Sequence, residues 1–277
     1  MKKIFEVDGI ELLVEGQGPR TGVMVHGWPD TYRVWDAQVA ALQAQYRCVR
    51  FTLPGFDIAK PRRAYSLDEM VATLLHVVDQ VSPNQKVTLL LHDWGCVFGY
   101  QFYMCHPDRV DCIVGVDIGD ADSPQYQQSL SLAGKLMVAS YQGLLAIAWK
   151  LGGRLGDALT RGMATALKVP SPRQYISAAM NLPYYIFWTG AYGSYKHRLA
   201  FVPQCPMLFV YGTQKPFMFH SPQWAQALSA KPGSQVLALD TDHWPMLRQP
   251  QEFNQALMQW LEAPGAQASP LGHSQAV

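Results

Sequence analysis

The sequence predicts an α/β protein, a mostly parallel sheet with helices on both faces. Three observations carry that expectation. Apolar runs of strand length alternate with helical patterns at both ends of the chain. One such run, residues 87–91, passes into a helical pattern within three residues, at His92-Asp93-Trp94-Gly95. Four conspicuous side chains, Trp28, Asp93, Asp117 and His243, each follow a strand-like run. In a parallel sheet such positions share the carboxyl edge, where ligands bind.

The 277 residues suffice for one large domain or a domain with an insertion. With 49% hydrophobic and 16% charged residues the chain is globular and rather apolar. A formal net charge of +1, with no long run of one sign, gives no footprint for nucleic acid or an anionic membrane. The five cysteines are scattered, odd in number and without metal spacing, so they predict buried thiols in a reducing compartment. Glu6, Asp8 and Glu11 follow Met1-Lys2-Lys3 too soon for a secretory segment, so a cytoplasmic protein is expected. The longest apolar stretch, residues 136–149, falls short of a membrane span and predicts a helix over an apolar cavity.

In chain order, residues 4–7 and 10–14 predict a hairpin about Asp8-Gly9. Residues 21–25 predict a strand ending at His26-Gly27-Trp28-Pro29-Asp30, followed by a helix on Trp35, Val39 and Leu42. A strand over 47–53 stops at Pro54-Gly55. Ser66 and Glu69 have the spacing of a capping box for a helix on Met70, Leu74 and Val78. The strand over 87–91, its helix to His106-Pro107 and a strand over 111–116 complete the first half. From 120 to 201 strand signals vanish and helical runs are broken by Gly152-Gly153, Pro170-Ser171-Pro172 and Pro183. Strands return over 206–211 and 236–239, with a Ser221-Pro222 helix start between them and a last helix over 252–261.

Asp93 occupies a sharp strand-to-helix turn, the geometry of a nucleophile elbow with Asp in place of Ser. Asp is equally a good N-cap, and on the residues alone both roles stay open. His26-Gly27-Trp28-Pro29, His92-Asp93-Trp94-Gly95 and Asp242-His243-Trp244-Pro245 together resemble the α/β-hydrolase superfamily. Within it the likeness is to the branch with Asp nucleophiles, epoxide hydrolases first and haloalkane dehalogenases second. The likeness covers residues 23–119 and 206–261 and is slight between them. It implies an α/β-hydrolase fold: an eight-stranded, mostly parallel core from 1–119 and 202–264, a helical cap over 120–201, and a flexible tail over 265–277.

The resemblance also implies roles. Asp93 is the nucleophile that forms an alkyl ester, and His243 activates the water that releases it. Backbone N–H groups of Trp28 and Trp94 form the oxyanion hole, with His26, Gly27 and Pro29 shaping the turn and Pro29 expected in a cis bond. The triad acid often closes a Gly-x-x-Asp turn, but here that turn is Gly212-Thr213-Gln214-Lys215. Asp117, after the strand before the insertion, is the assignment; Asp120, Asp240 and Asp242 compete. Leu91 fills a position that usually holds a small residue. Tyr141 and Tyr184 or Tyr185 match the spacing of cap tyrosines that protonate an epoxide oxygen, although tyrosines also serve as plain packing. Trp94 suits a halide, but Trp28 stands where dehalogenases place Asn. His26 and His92 are expected to hold loops, and His76 and His220 to pack or face water. No metal or other cofactor is expected. The expected partner is a small apolar substrate, with a homodimer left open. Epoxide opening is the first reading; dehalogenation and a catalytically weak ligand-binding protein are the alternatives.

Overall fold

Asp8 and Gly9, both at positive φ, turn the chain back between β1 (Lys2–Val7) and β2 (Ile10–Glu15) in the expected antiparallel hairpin. The computed structural model describes residues 2–121, 123–193 and 195–263; the tail read over 265–277 lies outside them. β3 (Arg20–Val25) leads through a 3-10 turn, Tyr32–Trp35, into α1 (Asp36–Leu42) and β4 (Tyr46–Phe51). The capping box opens α2 (Leu67–Val81): Ser66 Oγ accepts from the Glu69 N–H at 3.1 Å, and the Glu69 carboxylate accepts from the Ser66 N–H at 2.8 Å. β5 (Val87–His92), α3 (Trp94–Cys105) and β6 (Val110–Val116) follow.

Next come α4 (Pro124–Ser129), α5 (Leu132–Leu151), α6 (Gly153–Ala166) and α7 (Leu182–Thr189), with 3-10 turns before α7. The chain closes with β7 (Met207–Gly212), α8 (Pro222–Ser229), β8 (Gln235–Leu239), α9 (Pro245–Arg248) and α10 (Pro250–Glu262). Ser221 caps α8 through the Trp224 N–H, as its Ser-Pro start predicts. The four-residue α9 has no signal beyond Pro245, because one turn is too short to show a period. α5 is longer than the apolar stretch read for it. At 20 residues it is long and apolar enough to cross a bilayer by length and composition, which corrects the expectation that this stretch is too short.

The sheet order is β1-β2-β4-β3-β5-β6-β7-β8, and every neighbouring pair from β4 onward is parallel. β5 is buried at all six positions, as a strand covered on both faces must be. Register decides where the side chains go: Val25 pairs with Leu91 and His92 with Val116. The residues just beyond these pairs, His26 to Trp28, Asp93 and Asp117, therefore meet at one edge.

Leu91 is tolerated where a small residue is usual because the small residue sits opposite it, at Gly99 in α3. A Cβ there would stand 2.4 Å from a Leu91 methyl. Gly99→Ala should lower stability by about 1–2 kcal/mol in urea denaturation, overpacking outweighing its gain in helix propensity. Pairing it with Leu91→Val should recover part of the loss.

Candidate active site

Asp93 takes φ 53° and ψ −124°, a left-handed conformation that costs a non-glycine residue energy. Its side chain makes no capping bond to α3, so the N-cap reading falls. Oδ1 instead accepts from the Trp28 N–H at 2.6 Å, and Oδ2 lies 3.2 Å from His243 Nε2. The Trp94 backbone N–H, next along the chain, helps to hold the same carboxyl below its ordinary value. The loop after β3 comes this close only because Gly27 is there: a Cβ would sit 2.3 Å from Asp93 Oδ1 and 2.4 Å from the Trp94 nitrogen. The Trp28-Pro29 bond is cis. His26 ties the loop down as expected, Nδ1 donating to the Gly27 carbonyl at 3.0 Å and Nε2 accepting from the Leu53 N–H at 2.9 Å.

Asp117 is wholly buried, at φ 71°, and its Oδ2 accepts from His243 Nδ1. Its Oδ1 accepts from the Gly212 N–H at 3.0 Å and from Lys215 Nζ. The competing carboxylates are engaged elsewhere. Asp120 holds Ser221, Asp240 accepts from Gln214, and Asp242 accepts from the Trp244 N–H and Arg248. Asp93, His243 and Asp117 thus lie in one hydrogen-bonded line drawn from three strand ends.

The alpha/beta hydrolase family model matches residues 23–256. The chain belongs to the α/β-hydrolase family. It is 34% identical over 110 residues to the probable oxidoreductase EphD of Mycobacterium tuberculosis, a match covering 38% of this chain and 18% of EphD. It is 32% identical over 106 residues to epoxide hydrolase B of the same organism, covering 37% of this chain and 29% of that one. The matches thus span less than a third of either relative. A variant of an epoxide hydrolase from Bacillus megaterium, complexed with its diol product, superposes with a TM-score of 0.72 at 18% identity. That alignment covers 94% of this chain and all of the Bacillus one, and it establishes the fold.

In this α/β-hydrolase the charges at the site are mutually dependent. Burial disfavours the His243 cation, but Asp117 and Asp93 outweigh it and hold the pKa up at about 9. Burial likewise pushes both carboxyls up and is overcome. His243 and Lys215 bring Asp117 down to about 2, and His243 keeps Asp93 below its ordinary value. His92, its ring tilted against that of His243 with centroids 4.7 Å apart, is driven by burial and by the His243 charge to about 3. It donates from Nε2 to the His243 carbonyl at 3.0 Å, a loop-holding bond of the expected kind.

A cavity of about 380 Å³ opens above Asp93, walled by Trp94, Tyr141, Tyr184, Phe187 and Phe219 among others. Tyr141 and Tyr184 both face it, with their rings 6.2 Å apart. Burial raises both phenols far enough to keep them protonated. Tyr185 does not face it and is corrected: adjacent residues on a helix point about 100° apart, and Tyr185 stacks on Trp149 with centroids 4.4 Å apart.

Two polar contributions went unread in the sequence. Asn181 Oδ1 accepts from Trp28 Nε1 at 2.7 Å, tying the loop after β3 to the helical segment. Asp30, pushed up by burial to about 6, accepts from Trp244 Nε1 and from Ser171. Each is one polar residue in an unremarkable context, so no local pattern could mark it.

Lys215→Met should cost about 3 kcal/mol by stranding part of the buried Asp117 charge, and Asp117→Asn in the same chain should restore much of it in urea melts. His243 in the folded chain also keeps a proton that the unfolded chain, at about 6.5, gives up. Its contribution to stability is therefore complete below pH 6.5 and fades as pH rises toward 9. Urea midpoints taken below and above that window should fall across it, and fall less for His243→Gln.

Proposed function

We propose that this hydrolase opens an apolar epoxide to a vicinal diol through an alkyl ester on Asp93. The observation that carries the reading is the convergence of an ionised carboxylate oxygen with two protonated phenols, Tyr141 and Tyr184, in one mostly apolar cavity. The likeness to proteins named epoxide hydrolases supports it.

The two Asp93 oxygens have different work. Oδ1, held by the Trp28 N–H, becomes the ester carbonyl, while Oδ2 attacks an epoxide carbon from behind. The C–O bond of the ring breaks, and its oxygen takes a proton from a cavity tyrosine that is reprotonated from solvent. Ester formation removes the Asp93 charge that helps hold the proton on His243, so the imidazole loses it and becomes a base. It then takes a proton from water while the hydroxide adds to the Asp93 carbonyl carbon. The oxyanion sits on the Trp28 and Trp94 N–H groups. Collapse expels the diol oxygen, which takes the proton back from His243; Asp93, left as its acid, then passes its proton to His243, and both regain their resting charges.

Dehalogenation needs free N–H donors for the halide. Trp28 Nε1 is already bonded to Asn181 and so is not free to hold a halide, which favours the epoxide reading. The Lys at 215 does not argue for an inactive protein, since Asp117 reaches His243 without an acid there. The five cysteines are free thiols, which supports a reducing, cytoplasmic setting.

His243→Gln, incubated with an aryl epoxide, should accumulate protein heavier by one substrate, with the added mass on the Asp93 peptide. Asp93→Asn should gain none. An unlabelled Asp93 peptide in folded His243→Gln, under conditions where the parent yields diol, would sink the covalent route.

A further inference from the structure

The side of α5 that turns away from the protein is apolar along its length. Leu132, Leu136, Ile147 and Leu151 recur at helical spacing and are 74%, 62%, 56% and 53% exposed. Ser140 and Gly143 fill the face between them, and a Cβ on Gly143 would meet open space. Leu155 of α6, 61% exposed, carries the stripe past the Gly152-Gly153 turn. On a 20-residue helix this stripe runs about 30 Å, interrupted at Ser140 and Gly143, and a row of exposed large apolar side chains of that kind marks an interaction surface. α5 does not cross a bilayer here, because Leu145, Ala148 and Trp149 on its other side are buried against the protein.

Charge separates the possible occupants. Residues 124–201 carry eight Lys and Arg against a single acid, Asp157, whose carboxylate is already bonded to the Ala178 N–H. The whole chain has 22 basic and 21 acidic residues, so the remainder is left with fourteen against twenty. A near-zero net charge thus hides a basic helical segment on an acidic sheet domain. Lys135, Lys150 and Arg154 are exposed and stand on α5 and the start of α6, beside the stripe. Two copies meeting through this face would bring both cationic segments together. A copy docking head-to-tail would find little to match the stripe: outside 124–201 the large exposed apolar side chains among the described residues are Ile4, Phe5, Ile58 and Val202.

We infer that α5 lies along an anionic lipid surface, its leucine stripe at the acyl boundary and Lys135, Lys150 and Arg154 at the headgroups. Phe187 and Trp188, 44% and 47% exposed on the neighbouring α7, line the cavity over Asp93 together with Lys135. On the proposed epoxide reading, a greasy substrate dissolved in the bilayer has a short path to the nucleophile.

Flotation of the whole chain with phosphatidylcholine vesicles, with and without phosphatidylglycerol, tests the surface. The chain should float with the anionic vesicles, less so as salt rises. Lys150→Gln with Arg154→Gln should weaken binding about twenty-five-fold, at about fivefold per cation. Leu136→Glu with Ile147→Glu should abolish it while leaving the thermal melt unchanged, since both side chains are exposed. Failure to float on anionic vesicles, or a glutamate pair that floats as well as the parent, overturns the inference. So does a dimer in analytical ultracentrifugation that the glutamate pair dissociates, which would give the face to a second copy. Flotation reads no turnover, so its failure leaves the epoxide reading standing, and failure of ester trapping leaves this one standing.

Discussion

A carboxylate removed from water at the carboxyl edge of a sheet is costly unless every oxygen is met. Asp117 meets that condition with three donors: the imidazole of His243, the Gly212 N–H and the ammonium of Lys215. The contact with His243 fixes the ring plane and leaves Nε2 facing Asp93. Everything else at the edge is arranged around that line. Gly27 lets the β3 loop close on Asp93, the Asp93 backbone accepts a left-handed turn, and β5 sits between β3 and β6 so that their ends meet.

Lys215 gives that arrangement an unusual balance. The turn after β7 holds a cation where the likeness leads one to expect an acid, and the carboxylate that reaches His243 stands one strand over, at Asp117. The two side chains meet as an ion pair, so the turn still serves the histidine, through an intermediary and with opposite charge. Part of the Asp117 charge is neutralised by Lys215, which limits how firmly His243 holds its proton. On the proposed mechanism, that suits a base whose proton has to leave once Asp93 becomes an ester.

The helical segment contributes on two sides. Its inner side supplies Tyr141 and Tyr184 to the cavity and Asn181 to the Trp28 loop. Its outer side concentrates leucine and lysine on one long helix. A single net charge for the whole chain averages over this separation and suggests a neutral molecule, although two oppositely charged halves are present.

The sequence by itself determined the parts whose cause is local. The Asp8-Gly9 hairpin, the Ser66–Glu69 capping box, the Ser221-Pro222 helix start and the buried run of β5 follow from turn chemistry and from the periods of helix and strand. It also placed Asp93, Asp117 and His243 after strands, which is enough to bring them to one edge once the strands are parallel. Tertiary structure decided what depends on direction and on distance through space. Only the elbow's backbone turns the Asp93 side chain away from the helix it could have capped. Only the helical rotation of α7 separates Tyr184 from Tyr185. Only packing between segments far apart in sequence pairs Lys215 with Asp117 and Asn181 with Trp28. Sequence periodicity encodes which face of an element is buried; it does not encode which residue of another element is waiting there.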